Sequence, residues 1–196
     1  MQTFTPPTGQ EFNFFAEKIA NWQGWLASLV VDSNGNTIGN DGTSKAVGNQ
    51  TDLQLLIALR SKASLIVTTG KTARSEQYKA SRFAPIAFIT RDQRSLTTIP
   101  AIASPGSFEN IFLSSSKALP DAFSDFENDI SQAGFSNYLF EGGLESVAAL
   151  FQSQLPFTLV LSIANVQDFD EEAALELVKK ILPKWSNPRL QDAFGV

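Results

Sequence analysis

Short, almost wholly apolar runs alternate along this chain with amphipathic stretches, and that alternation predicts its elements. Trp25-Leu26-Ala27-Ser28-Leu29-Val30-Val31-Asp32 is nearly continuous apolar sequence, as expected of a strand covered on both faces. Comparable runs at 64–68, 85–90, 110–113, 137–140 and 157–163 predict five more strands. Helical patterns lie between them. Glu11 to Asn21 places Phe12, Phe15 and Ile19 on one stripe that Trp22 extends. Asp52 to Lys62 has Thr51 before it as an N-cap and Leu53, Leu56, Ile57 and Leu59 as its apolar side. Phe123 to Gln132 reads as an acidic helix stopped by Gly134, another runs from Leu144 to about Gln154, and a last one spans Asp170 to Leu182 with Asp170 as its cap. Leu190 to Val196 reads as a terminal strand fragment.

Strands alternating with helices predict an α/β fold with a mostly parallel sheet. Residues 1–23 read as a polar, Pro-containing arm with one short helix, and 24–196 as a single domain. The loop-rich stretch 92–108 defines no second domain. Ser33 to Gly42 is a loop dense in turn-forming residues.

Two of the strand ends are chemically suggestive. Leu65-Ile66-Val67-Thr68-Thr69 opens onto Gly70-Lys71-Thr72, and Tyr138-Leu139-Phe140 opens onto Glu141-Gly142-Gly143 before the helix at Leu144. Glycine lets backbone amides approach a ligand closely, and a helix N-terminus presents unpaired N–H groups to an anion. Two such turns in one small chain predict a phosphate-bearing ligand held between two strand ends. The alternative for each is an ordinary tight strand–helix connection. Gly70-Lys71-Thr72 lacks the full Gly-x4-Gly-Lys-Ser/Thr spacing of a nucleotide triphosphate loop.

Composition narrows the chemistry. The chain of 196 residues contains no Cys and no His. Thiol nucleophiles, zinc–thiolate sites, Ser-His-Asp catalysis and imidazole metal sites are therefore excluded, and no metal site is expected. Any reaction must use carboxylates, Lys, Tyr, Ser/Thr, backbone dipoles or a cofactor with its own reactivity. The net charge of −5 and the lack of a basic tract argue against a nucleic-acid surface. No apolar stretch approaches a membrane span, and the start Met1-Gln2-Thr3-Phe4 has no signal-peptide pattern, so a cytoplasmic location is the expectation. Most of the sixteen Phe residues are expected in the core, with Trp22 and Trp25 at a sheet edge or a dimer contact.

Gly70-Lys71-Thr72-Ala73-Arg74-Ser75-Glu76-Gln77-Tyr78 resembles the Gly-x-Gly-Thr-Val-Arg segment of the riboflavin-pathway pyrimidine reductases, which have the dihydrofolate reductase-like fold. The resemblance continues in order along the chain. Ala27-Ser28-Leu29 with Asp32 and Gly35 is similar to that family's first strand, and Asp41-Gly42-Thr43-Ser44 to the segment after it. Leu55-Leu56-Ile57-Ala58-Leu59-Arg60 is similar to its Leu-Arg-Ala helix, and Phe140-Glu141-Gly142-Gly143 to its Val-Glu-Gly-Gly-Pro. Together these cover roughly residues 24–166.

The resemblance implies NADPH as cofactor, lying across the carboxyl ends of the strands. It would place Gly70, Lys71, Thr72, Glu141, Gly142, Gly143 and Leu144 at the diphosphate, and Thr90, Arg91 and Ser114 at further cofactor contacts. Ser28, Asp41 and Glu76 would bind substrate, with Asp32 as the candidate catalytic residue. It also implies a homodimer. Several positions depart from the family pattern, among them Asp32, which sits two residues further from Ser28 than expected. Lys71 stands for a Gly, Leu144 for a Pro, Glu145 follows close to the expected diphosphate, and Asp52 lies where an Arg that binds a ribose phosphate is expected. The resemblance thus implies reduction of a ribosylaminopyrimidine, or of a related imine or carbonyl. A dimeric binding protein with a decayed site, and a dihydrofolate reductase, are the alternatives.

Overall fold

The computed structural model describes residues 22–164 and 170–183. The predicted helix at 11–21 and the strand fragment at 190–196 lie outside these. Among the described residues, six strands form one sheet: β1 (Gly24–Asp32), β2 (Leu65–Thr69), β3 (Ile86–Ile89), β4 (Ile111–Leu113), β5 (Asn137–Phe140) and β6 (Phe157–Ala164). Their order is β4-β3-β2-β5-β1-β6, and every pairing is parallel. The helices are α1 (Gln50–Lys62), α2 (Gly70–Ser75), α3 (Pro100–Ala103), α4 (Leu119–Gln132), α5 (Leu144–Gln152) and α6 (Glu171–Ile181).

The connections β1→β2→β3→β4 all step toward one edge, and β4→β5→β6 step back. Parallel crossovers are right-handed, so reversing direction sends the helices to the other face. The core reflects this. Trp25, Ala27, Leu29 and Val31 of β1 pack with Leu65, Val67, Tyr138 and Phe140 against α4, α5 and α6. The alternate positions Leu26, Leu139 and Val160 meet Leu59 of α1. Ile66, Ile86 and Phe88 meet Ala73 of α2 and Ala101 of α3. Trp25 is fully buried, with Phe123, Tyr138 and Phe140 set edge-on around it at 5.2–5.9 Å. It is the centre of the core and not an edge or dimer contact, because its strand is covered on both faces.

Three local expectations change. The cap of α1 is Asn49, whose side chain accepts from the amides of Thr51 and Asp52. Gly70-Lys71-Thr72 is not a turn: the chain passes directly from β2 into α2, and Thr69 caps that helix by accepting from the Thr72 amide. On α1, Leu59 is buried and Leu56 half-buried beside Leu55, whereas Leu53 and Ile57 are 47% and 37% exposed. The helix lies on the sheet along a different line from the one its four apolar residues suggested. Asp170 caps α6 as expected.

Candidate functional site

The sheet reverses direction around β5, and β5 is short. Its last residue, Phe140, pairs with Val67 of β2 and Ala27 of β1, while β2 continues to Thr69 and β1 to Asp32. The end of β5 is therefore set back between the longer β1 and β2, a crevice in the row of strand ends that Glu141-Gly142-Gly143 follows. Open α/β sheets bind ligands at this kind of switch point.

That segment is held by a dense polar network. Glu141 is 6% exposed. Its Oε1 accepts from Arg60 Nε at 2.7 Å, and its Oε2 from Arg60 Nη2 at 2.5 Å and from Tyr78 Oη at 2.6 Å. Its amide donates to the Val67 carbonyl at 2.8 Å, and its own carbonyl accepts from Thr68 Oγ1 at 2.9 Å. The Arg60 guanidinium lies 5.5 Å from the centre of the Tyr78 ring. Desolvation, and then the Glu141 charge, push the Tyr78 hydroxyl well above its ordinary pKa, so it stays a donor. The carboxylate expected at the cofactor is thus occupied by partners from α1 and from the segment after α2.

The glycines differ in what requires them. Gly142 is buried, and a Cβ there would overlap the Phe140 ring and come within 2.9 Å of Ser146 Cβ. Gly70 is buried, and a Cβ would come within 2.8 Å of Leu96. Packing demands both, whether or not a ligand binds. Gly143 is half-exposed and open: a Cβ would meet Thr72 Oγ1 at 3.7 Å, an ordinary contact. The Gly143 amide donates to Thr72 Oγ1 at 3.1 Å, and Thr72 Oγ1 lies 3.0 Å from Thr69 Oγ1. The two predicted turns are therefore joined directly. α5 begins at Leu144 with no side-chain cap. Gly143 thus combines open space with an uncapped helix start.

Lys71 and Glu145, two of the departures from the family pattern, are paired with each other at 2.8 Å. Hydrogen bonding to Lys71 and its positive charge lower the Glu145 pKa. Thr90 Oγ1 donates to the Asp92 carbonyl and accepts from the Asp92 amide, closing the turn beyond β3. Arg91 beside it and Ser114 beyond β4 are exposed.

On the other side of the crevice, Ser28 and Asp32 share the α1-facing side of β1 with Leu26. Asp32 Oδ1 accepts from the amides of Asn34 and Asn36, and Oδ2 from Asn36 Nδ2, each at 2.8 Å. These bonds lower its pKa, so it stands as an ionised carboxylate that closes its own turn. Asp41 does the same with the amide and hydroxyl of Thr43, again with a lowered pKa. Glu76 Oε1 accepts from the Ser44 amide at 2.7 Å and so ties the β1–α1 loop to the end of α2. Asp52, in the first turn of α1, is half-buried; burial raises its pKa while a hydrogen bond with Ser162 of β6 partly offsets the shift.

The geometry thus adds Arg60, Thr69 and Tyr78 to the site. Arg60 and Tyr78 stand inside the segments that carry the family resemblance, but nothing local assigned them a role. The signal available was two charged residues, Arg60 and Glu141, each in an otherwise apolar run.

No family model matches the chain, and no curated protein matches it in sequence. Among solved structures, it is similar to a pyrimidine reductase-like protein from Corynebacterium diphtheriae, with a TM-score of 0.61 and 17% identity over 82% of this chain and 83% of that one. It is also similar to a diaminohydroxyphosphoribosylaminopyrimidine deaminase/5-amino-6-(5-phosphoribosylamino)uracil reductase from Thermotoga maritima, with a TM-score of 0.51 and 13% identity. There it covers 83% of this chain but spans only 53% of that longer one. The chain therefore shares its fold with the pyrimidine reductase-like protein, and its described residues form an all-parallel six-stranded sheet with helices on both faces.

Proposed function

We propose that the protein is an NADPH-dependent reductase acting on a small ring-bearing imine or carbonyl compound. The carrying observation is the open backbone at Gly143, beside the uncapped start of α5 and above the short central strand. The diphosphate would lie against Gly143 and Leu144, with the positive end of the α5 dipole behind it. Thr90, Arg91 and Ser114 would meet the adenosine side. Ser28, Asp32, Asp41 and Glu76 would face substrate. The cofactor supplies a hydride when bound; the chain supplies position and electrostatics. Glu141, with both oxygens engaged, acts on the backbone and not on the ligand. Asp32 is held ionised, which suits it to accept a hydrogen bond better than to donate a proton.

The substrate side disfavours a ribose phosphate. Asp52 presents a half-buried carboxyl group where the resembled family places a cation. A substrate without that phosphate fits this side better than the ribosylaminopyrimidine phosphate named for the Thermotoga protein.

A second reading is favoured by the Lys71–Glu145 pair and by the packing role of Gly142: a binding protein of the same fold without turnover. Titration of the purified protein with NADPH separates the two. Quenching or shifting of NADPH fluorescence at micromolar concentration supports the reductase, and no heat of binding at millimolar NADPH sinks it.

A further inference from the structure

We infer that Arg60 and Tyr78 are positioning residues that set the path of the Gly142–Gly143 turn through Glu141. Glu141 is the residue on which the chain leaves β5 for the crevice. Its amide and carbonyl are fixed by β2, through the Val67 carbonyl and Thr68 Oγ1. Both oxygens of its side chain are fixed by Arg60 from α1, and one of them also by Tyr78. Three separate elements therefore pin the residue immediately before the turn. Beyond it, the Phe140 ring and Ser146 leave Gly142 no room, and Thr72 holds the Gly143 amide.

Stability alone does not account for this arrangement. Burying a carboxylate and a guanidinium carries a desolvation cost that their attraction only roughly offsets, and apolar replacements of similar volume are often as stable or more so. What an apolar cluster lacks is direction. A bidentate guanidinium accepts a carboxylate in essentially one plane, and the Tyr78 hydroxyl selects one of the two oxygens. The backbone leaving Glu141 is then aimed in one direction, and with it the Gly143–Thr72 hydrogen bond and the uncapped start of α5. An anion site built from backbone dipoles works only when those dipoles are already in place.

The claim about the turn is independent of which ligand binds; its consequence for NADPH rests on the proposed function. The decisive variant is Arg60→Met/Glu141→Met, which removes the pair without stranding a charge. Its folding is checked by urea denaturation, and amide hydrogen exchange is then read residue by residue. The expected result is a protein as stable as the parent in which the Glu141 and Gly143 amides exchange at least about tenfold faster, while Leu139 and Leu26 are unchanged. Tyr78→Phe should give a smaller acceleration at the same two amides, and Arg60→Lys, a point charge without the planar fork, should recover only part of the protection lost in Arg60→Met. If the Glu141 and Gly143 amides in the double variant stay as protected as in the parent, the inference is overturned. NADPH affinity is measured on the same samples and should weaken on the order of tenfold or more. Faster exchange in the variant, with no NADPH binding even by the parent, upholds the positioning role and removes the reductase reading. Unchanged exchange, with NADPH bound equally by both, does the reverse.

Discussion

Lys71 Nζ sits 2.8 Å from Glu145 Oε2, joining the first turn of α2 to the first turn of α5. The side chains are 78% and 84% exposed, so the pair is solvated and easily exchanged. A carboxylate in the first turn of α5 favours the helix but competes with a ligand phosphate for the same dipole and the same Lys. Glu145→Gln should therefore tighten NADPH binding roughly two- to fivefold at low ionic strength. The gain should shrink toward 1 M salt, where the Debye length is about 3 Å. Fluorescence titrations at two salt concentrations check this, and weaker binding by the variant would show that Glu145 does not compete.

Arg60 and Glu141 matter more to stability, because Glu141 is buried and the Arg60 side chain is only 26% exposed. Arg60→Met leaves Glu141 with Tyr78 alone, in a place that water barely reaches. Removing one partner of a buried pair costs about 3–5 kcal/mol. The urea midpoint of this single variant should fall sharply. Equal midpoints for Arg60→Met and the parent would mean that Glu141 escapes to solvent.

The two neighbouring glycines should separate packing from binding. An alanine at Gly142 must displace the Phe140 ring and Ser146, an overpacking cost of about 1–3 kcal/mol. An alanine at Gly143 has ordinary space and a backbone, φ −69° and ψ 170°, that any residue adopts. Gly143→Ala should therefore melt like the parent, yet weaken NADPH on the order of tenfold by holding the diphosphate off the backbone. Thermal melts and titrations on both variants give the answer. Unimpaired NADPH binding by Gly143→Ala falsifies the placement of the diphosphate at that residue.

Much of this architecture was readable in the sequence because a doubly covered strand must be apolar at nearly every position. β1, β2, β3, β5 and β6 all fall on such runs, within a residue or two at each end. The caps were less legible. Asn49 and Thr51 are both good N-cap residues two positions apart, and only the hydrogen bonds decide between them. Gly70 looked like a breaker because glycine usually is one; here Thr69 supplies the cap and the Leu96 side chain excludes anything larger at the next position. A glycine at 142 admits two readings, since a crowded aromatic and a bound phosphate both leave a glycine behind, and the sequence does not choose between them. The Arg60–Glu141 pair spans 81 positions; a lone charge in each of two apolar runs is all the sequence shows of it, and nothing local pairs the two.

Asp52 gives a prediction whose sign is opposite to that of Asp32, Asp41 and Glu145. Its pKa in the folded protein lies above the ordinary 3.8, mainly because burial disfavours the charged form. The native state therefore holds this proton at a pH where the unfolded chain has released it. The contribution to stability is fully present below about pH 3.8 and is lost as pH rises through the higher folded value. Asp32 and Asp41 have lowered values and run the other way, losing their contribution as pH falls below the ordinary range. Asp52→Asn keeps the shape and a hydrogen bond to Ser162 but carries no charge at any pH. The difference in melting temperature between Asp52→Asn and the parent should be small near pH 3.5. It should grow in favour of the variant toward pH 7, because Asp32 and Asp41 are common to both proteins and cancel. A difference that is constant with pH, or that favours the parent at pH 7, would mean that the charged form of Asp52 is compensated in the native state.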